Sequence, residues 1–123
     1  MRFVDVEALV IPFIKQVVGS TIPVATKVPN PRPGTFVRAW LNGGAEDNPI
    51  LEQVNITVDV WAPSQPAASR ISNDIRNAML WDARKSMPLV RGVSTLSRPM
   101  TTPDETSERY RATYSLRVRA TRT

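Results

Sequence analysis

The segment from Glu108 to Ala120 alternates almost without error between two kinds of residue. Its even positions are apolar or aromatic: Tyr110, Ala112, Tyr114, Leu116, Val118 and Ala120. Its odd positions are basic or hydroxylated: Arg109, Arg111, Thr113, Ser115, Arg117 and Arg119. Because successive side chains on a β-strand point to opposite faces, this segment predicts a strand with one apolar face and one arginine-bearing face.

The arginine-bearing face needs a partner. Residues i and i+2 on one face of a strand lie roughly 7 Å apart, which is inside the Debye length of about 8 Å at physiological salt. The guanidinium groups of such a row repel one another unless acidic groups lie opposite them. We therefore expect Arg109, Arg111, Arg117 and Arg119 to contact an acidic partner.

The composition argues against catalysis. The chain of 123 residues contains no cysteine and no histidine, so it has neither thiolate ligands nor the commonest general base and metal ligand. Its adjacent carboxylates, Glu46-Asp47 and Asp104-Glu105, fall in predicted loops where solvated charge is the usual explanation. We predict no enzyme activity, no catalytic residue and no cofactor. A metal site made only of carboxylates stays open, although no spacing indicates one.

The positive charge is concentrated at the C-terminal end. Residues 1–83 carry seven Lys/Arg and eight Asp/Glu, whereas residues 84–123 carry nine and three, which together give the formal net charge of +5. This asymmetry favours an acidic protein surface or a nucleic acid as partner, against a third reading of an ordinary solvated surface. Tyr110 and Tyr114 lie on the opposite parity from the arginines, so a base-stacking surface for single strands is not indicated.

No segment predicts a membrane span. The longest apolar run, Ala8 to Ile14, contains Pro12 and is far too short to cross a bilayer, and no secretion signal is visible at the start. We expect a soluble protein made and kept in a cytoplasm, or in a particle assembled there.

The apolar periodicity predicts the order α-β-β-β-α-β-β. The first helix starts at an Asp5 N-cap, ends at Gly19, and is expected to be kinked or divided at Pro12. A second helix starts after Ser64 and ends near Trp81. The predicted strands are Ile22–Val28, Thr35–Leu41, Leu51–Trp61, Leu89–Leu96 and the arginine-bearing segment, with a loop at Pro99–Thr106. This order predicts a single α+β domain over residues 1–123, with a mainly antiparallel sheet of about five strands packed by two helices.

The strand at Thr35–Leu41 places aromatic residues away from the predicted core. If Val37, Ala39 and Leu41 face the helices, then Phe36, Arg38 and Trp40 form the other face. Aromatic residues with arginine are enriched at protein interfaces, although a helix or loop of the same chain covering them is an equal alternative. Trp61 and Trp81 are predicted to be buried in the core.

The connection from Asn42 to Ile50 is predicted to be a long hairpin loop. Most hairpin loops have two to five residues, so the excess length of this one requires a separate explanation.

Across nearly its whole length the chain resembles the tail terminator, or tail completion, proteins of long-tailed bacteriophages, especially those of actinobacterial phages. The resemblance rests on the order and spacing of several pieces: the helix from Asp5, Pro33-Gly34-Thr35-Phe36-Val37-Arg38, Gly43-Gly44, Val58-Asp59-Val60-Trp61-Ala62, the Ala67-Ala68 helix with Arg76 and Leu80, Pro103-Asp104, and Arg109-Tyr110 with the closing strand.

The resemblance implies a structural virion protein without catalytic groups. Such proteins are small α+β domains that assemble into a six-fold ring at the head-proximal end of the tail tube, stop tube polymerisation and join the tail to the head. The resemblance implies that the long hairpin loop contacts a neighbouring subunit through a segment that runs to Asn48, with Asn42, Gly43, Gly44, Glu46 and Asp47 as the contact residues. The implied partners are further copies of the chain, the major tail tube protein and head-closure or connector proteins, with DNA passing through the lumen without sequence-specific contact. The implied location is the virion, assembled in the host bacterial cytoplasm. A neighbouring head-closure or connector protein, or a non-specific basic nucleic-acid-binding protein, remains an alternative.

Overall fold

Five β-strands and three helices make up the described part of the chain. The computed structural model describes residues 1–102 and 108–122. The helices are α1 (Val6–Val18), α2 (Gln65–Trp81) and the short α3 (Ala83–Ser86). The strands are β1 (Val24–Ala25), β2 (Phe36–Asn48), β3 (Leu51–Ala62), β4 (Val90–Thr102) and β5 (Glu108–Arg119).

The strands form one sheet in the order β1-β2-β3-β5-β4. All neighbours pair antiparallel except the two-residue β1, which runs parallel to β2 at Val37 and Arg38. The predicted α+β domain, with a mainly antiparallel five-stranded sheet packed by helices, is confirmed. The additions are the single turn of α3 and the parallel pairing of β1.

The hydrophobic core lies between the helices and one face of the sheet. The alternation of β3 and β5 directs two apolar rows to this face, namely Val54, Ile56, Val58, Val60 and Ala112, Tyr114, Leu116, Val118, all of which are buried. The apolar stripes of α1 and α2 cover them with Val10, Ile14, Ile75 and Met79, which are at most 1% exposed. Burial of these side chains is the main free-energy gain that holds the helices on the sheet.

The predicted helix boundaries are confirmed by side-chain caps. The Asp5 carboxylate accepts a hydrogen bond from the Ala8 N–H at 3.2 Å, and the Ser64 hydroxyl accepts one from the Ala67 N–H at 3.3 Å. Gly19, at φ +90°, ends α1 in a conformation that suits glycine. The prediction that Pro12 divides this helix is wrong, because α1 runs without interruption from Val6 to Val18.

Two predicted loops are largely strand. The predicted loop Asn42–Ile50 is wrong: β2 continues to Asn48, and only Pro49 and Ile50 form the turn. The predicted loop Pro99–Thr106 is wrong for its first part, because β4 continues to Thr102. The rest of that loop, with the Asp104-Glu105 pair, lies outside the described residues.

Of the two tryptophans predicted to be buried, Trp61 and Trp81, one is exposed. Trp61 is buried, at 4% exposed, but it lies on the sheet face opposite the helices. Trp81 is 75% exposed, so its predicted burial is wrong. The last turn of α2 presents this ring to solvent beside α3 and the start of β4.

The Tyr114 hydroxyl is a polar group inside the core. The side chain is 0% exposed, and its oxygen has no hydrogen-bond partner among the described residues. Burial raises the pKa of Tyr114 to about 12, with Arg76 opposing the rise. A buried hydroxyl without a partner costs the desolvation free energy of that group.

Tyr114→Phe should therefore raise the free energy of unfolding by about 1 kcal/mol near neutral pH. The wild type should also lose stability as pH rises from 10 towards 12, because the unfolded chain ionises this tyrosine first. The variant should lack that part of the alkaline loss. Urea unfolding at pH 7 and at pH 11 measures both effects, and equal alkaline losses in the two proteins would contradict the assignment.

Candidate functional site

The interaction residues predicted at Phe36, Arg38 and Trp40 and on β5 lie on the sheet face opposite α1 and α2, which we call the helix-free face. Among the described residues no helix packs on it. Cross-strand register places Phe36, Trp61 and Arg109 in one row and Arg38, Asp59 and Arg111 in the next. Residues of three strands thus meet on one surface, as the alternation of β2, β3 and β5 predicted.

A polar cluster occupies the second row. Asp59 is 0% exposed and accepts hydrogen bonds from Arg111 through Nε at 2.6 Å and Nη2 at 3.2 Å. It also accepts one from Trp40 Nε1 at 3.3 Å. The hydrogen bond to Asp59 raises the pKa of Arg111 above its ordinary value; burial opposes the rise and attraction to the carboxylate adds to it. The acidic partner expected for Arg111 is therefore a residue of its own chain.

Trp40 and Arg38 complete this cluster. The Arg38 guanidinium carbon lies 4.6 Å from the centre of the Trp40 ring, and that of Arg111 lies 5.9 Å from it. Arg38 Nε also donates to the Thr26 carbonyl at 3.1 Å. The cluster ties β2, β3 and β5 together and joins them to the segment after β1. These contacts stabilise the fold, since most polar atoms of the cluster already have hydrogen-bond partners within the chain.

The first row is an aromatic stack. The rings of Phe36 and Trp61 lie 4.4 Å apart with an interplanar angle of 13°, and the guanidinium carbon of Arg32 is 5.7 Å from each ring centre. Arg109 also approaches Trp61 at 5.7 Å. The predicted exposure of Phe36 is wrong, because the side chain is 0% exposed. The alternative was that a helix or loop of the same chain covers Phe36 and Trp40. It is confirmed for Phe36, which Arg32 of the preceding loop approaches. Trp40 is half-buried.

The outer arginines of β5 differ from the inner ones in exposure. Arg117 and Arg119 are exposed. Arg117 Nη2 lies 3.4 Å from Asp47 Oδ2, and both side chains are exposed, at 56% and 42%. An exposed pair of this kind contributes about 0 to 1 kcal/mol. Arg117 and Arg119, at the hairpin end of β5, are thus accessible to a partner, whereas Arg111 already binds Asp59.

The hairpin of β2 and β3 ends in an exposed two-stranded segment, the hairpin arm (residues 41–52). Every residue from Leu41 to Ile50 is exposed. β1 pairs only with Val37 and Arg38, so the outer edge of β2 beyond them has no strand partner among the described residues. The Glu7 carboxylate accepts the Leu41 N–H at 2.9 Å and so occupies one position of this edge. An unpaired edge of this length is a surface on which another chain can add.

A glycine pair shapes the arm. Gly43 and Gly44 have φ of +149° and +143°, and the β2–β3 register shifts between Leu41 and Gly43. A Cβ atom at Gly44 would overlap the Gln53 carbonyl oxygen and approach Val54 Cα to 2.8 Å. A shallow trough lies beside this pair on the helix side of the arm, and its lining includes Leu41, Glu46 and Val54.

Two glutamates face each other at the end of this trough. Glu46 lies directly opposite Glu52 in the β2–β3 register. Burial raises the pKa of Glu52, and repulsion from Glu46 adds to the rise. Like charges directly opposite on neighbouring strands are destabilising. Sequence reasoning selected Glu46 but missed Glu52, because their pairing depends on the register shift at the glycines.

Glu52→Gln should therefore raise stability slightly, by a few tenths of a kcal/mol at pH 7. A raised pKa in the folded state means that the penalty is absent below pH 4.5 and grows as pH rises through the folded value. The gain should therefore vanish near pH 3.5. Thermal unfolding of both proteins across this range measures it. A gain that persists unchanged at pH 3.5 would exclude the electrostatic explanation.

A basic groove lies at the opposite edge of the sheet and was not predicted. It has a volume of about 490 Å³ and is lined by Trp81, Arg84, Lys85, Pro88, Val90 and Arg91. Trp81 and all three cations are exposed. We call this surface the Trp81 groove. One aromatic ring with three cations is typical of a surface that binds an acidic partner.

The described residues hold no group of three or more histidine, cysteine, aspartate or glutamate side chains placed to bind a metal ion. Within the same residues, no helix has the length and apolarity needed to cross a bilayer.

Comparison with protein-family models and with curated protein sequences gave no match for this chain.

Proposed function

We propose that this chain is a structural protein of a bacteriophage particle. In this proposal it forms a ring at the head-proximal end of the tail tube, stops polymerisation of the tube and joins the tail to the head. The proposal takes its biological context from the resemblance stated above, which covers nearly the whole chain. It takes its physical support from the surfaces of the described residues.

The hairpin arm is the observation that carries the proposal. The arm is a run of exposed residues in strand pairing, and its outer edge has no strand partner among the described residues. β4, on the other side of the sheet, is also an edge strand among the described residues. A ring needs two different surfaces on each subunit, one at each side, and the sheet offers them.

The described carboxylates of β2 and β3 make contacts that require no catalytic role. Asp59 binds Arg111 and Trp40 in the polar cluster. Asp47 lies against Arg117, and Glu46 lies opposite Glu52 on the arm. None of these groups converges with a nucleophile or an oxyanion donor in a cavity, which is the arrangement that an active site requires.

On the helix-free face the nucleic-acid alternative is less well supported. A single-strand binding surface needs aromatic rings exposed beside cations. On the helix-free face Phe36 and Trp61 are buried in their own stack, at 0% and 4% exposed. The exposed arginines Arg117 and Arg119 still suit a phosphate backbone. Passing DNA in a tail lumen would require such contacts without sequence preference.

Deletion of this gene from the phage that encodes it tests the proposal. Electron micrographs of the lysate should show overlong tail tubes separated from filled heads. Tails of normal length beside heads that leak DNA would move the chain to the head-closure side of the neck. Intact particles would contradict both readings. Complementation with the wild-type gene should restore normal tails.

A further inference from the structure

The acidic end of the hairpin arm and the Trp81 groove occupy opposite ends of one cross-strand row. Glu46 pairs with Glu52, Glu52 with Val118, and Val118 with Val90. Val90 is itself a wall of the Trp81 groove. Paired residues in a sheet point to the same face, so both surfaces lie on the helix side and at the same end of the strands.

The two surfaces are complementary in charge. The arm carries Glu46 and Glu52, whose mutual repulsion is unrelieved in the subunit and adds to the raised pKa of Glu52. The groove carries Arg84, Lys85 and Arg91, which are exposed. Among the described residues no carboxylate forms a salt bridge with these three cations. The end of the arm thus carries negative charge at Glu46 and Glu52, and the groove carries positive charge that no salt bridge of the described residues neutralises.

They are also complementary in shape. The trough at Gly43 and Gly44 is a concave surface of about 300 Å³, with Leu41 and Val54 as apolar walls. Trp81 is a large ring that is 75% exposed. Tryptophan is enriched at binding hot spots, where it packs into a concavity of the partner.

We infer that the Trp81 groove of one copy of this chain binds the acidic, glycine-lined end of the hairpin arm of the next copy. Trp81 enters the trough at Gly43 and Gly44, and Arg84 and Lys85 face Glu46 and Glu52. Copies placed side by side in the same orientation bring these surfaces together, because they lie at the same end and on the same face of the sheet. The contact is heterologous, and its repetition forms a ring when the rotation between copies closes and a filament when it does not. The inference rests on the proposed function only for the existence of a multimer.

Cysteine cross-linking tests the contact, since the chain has no cysteine of its own. Within one subunit, Glu46 on β2 and Val90, which lines the groove beside Arg84, are three strand spacings apart, roughly 14 Å, so no disulfide is expected between the arm and the groove of the same copy. A Glu46→Cys, Arg84→Cys double variant should therefore give a ladder of covalent multimers after oxidation. Each single variant should give no ladder, and an equal mixture of the two should give dimers. Arg70→Cys with Glu46→Cys is the matched control, because Arg70 is exposed on the same helix as Trp81.

The cross-linking is done both on the concentrated pure protein and on particles that carry the double variant. Absence of a ladder in both would overturn the inference. If the deletion strain gives overlong tubes but the double cysteine variant gives no ladder, the proposed function stands and the contact is wrong. A ladder with intact deletion particles would leave the contact standing and the function wrong.

Charge reversal provides a second test. Arg84→Glu with Lys85→Glu should lower the yield of infectious particles by at least about tenfold, whereas Arg70→Glu should not. Adding Glu46→Lys and Glu52→Lys to the same chain should restore much of the loss, since every contact in the ring is then reversed together. The monomer's thermal unfolding checks that each variant is folded. A folded Arg84→Glu, Lys85→Glu chain that assembles normally would overturn the inference.

Discussion

Arg111→Ala should lower the free energy of unfolding by about 3 kcal/mol, because it leaves the Asp59 carboxylate buried without its cation. Asp59 is 0% exposed and would keep only its contact with Trp40 Nε1. A buried charge that loses its partner bears the full cost of desolvation. Urea unfolding monitored by tryptophan fluorescence measures the loss.

Arg117→Ala is the matched control on the same strand and face. Arg117 is 56% exposed and meets Asp47 at 3.4 Å, so its removal should cost less than about 0.5 kcal/mol. Double-mutant cycles separate the two cases: the coupling of Arg111 to Asp59 should be large, and that of Arg117 to Asp47 close to zero. Equal small losses for the two arginines would show that the polar cluster does not stabilise the fold.

Gly44→Ala should lower the free energy of unfolding by about 2 kcal/mol or more. The new Cβ would overlap the Gln53 carbonyl oxygen and approach Val54 Cα, and the backbone at φ +143° is itself unfavourable for alanine. The obstructing atoms belong to the backbone of β3, so a side-chain rotation cannot relieve the overlap. Amide hydrogen exchange at Gln53 and Val54 should become faster, which reports opening of the arm.

Two other glycines serve as controls for Gly44. Gly43 has a similar φ of +149°, but the nearest atom to a new Cβ is Asn55 Nδ2 at 3.9 Å. Gly43→Ala should therefore cost only the backbone strain, about 1 kcal/mol. Gly34→Ala, with no atom within 4 Å, should leave stability nearly unchanged. Equal losses at Gly43 and Gly44 would contradict the close packing described for the arm.

The alternation of β3 and β5 was sufficient to predict the sheet and its core face. Side-chain parity is a local property of the strand, so it survives any tertiary arrangement. The caps at Asp5 and Ser64 were predictable for the same reason. The hairpin arm was not, because Gly43, Gly44 and Asn48 indicate a break in the strand. Cross-strand pairing with Leu51–Val54 overrides this local preference.

The candidate surfaces were predictable only where the alternation of side chains along a strand determines which face a residue lies on. The sequence places Asp59 and Arg111 on one face, but their burial depends on Trp40 and on the register of β3 and β5. The exposure of Trp81 had a local signal that the prediction did not use. Six residues at about 100° each place Trp81 roughly 120° around α2 from Ile75, outside the apolar stripe. The basic groove beside it forms only when α3 turns towards β4.

Localisation of the chain in intact particles tests the central proposal most directly. Cryo-electron microscopy of phage particles, with a tagged copy of the chain, measures both position and copy number. We expect a single six-fold ring at the head-proximal end of the tail tube, with the Trp81 groove of each copy on the hairpin arm of the next. Copies distributed along the tube, located in the capsid shell or missing from the particle would contradict it.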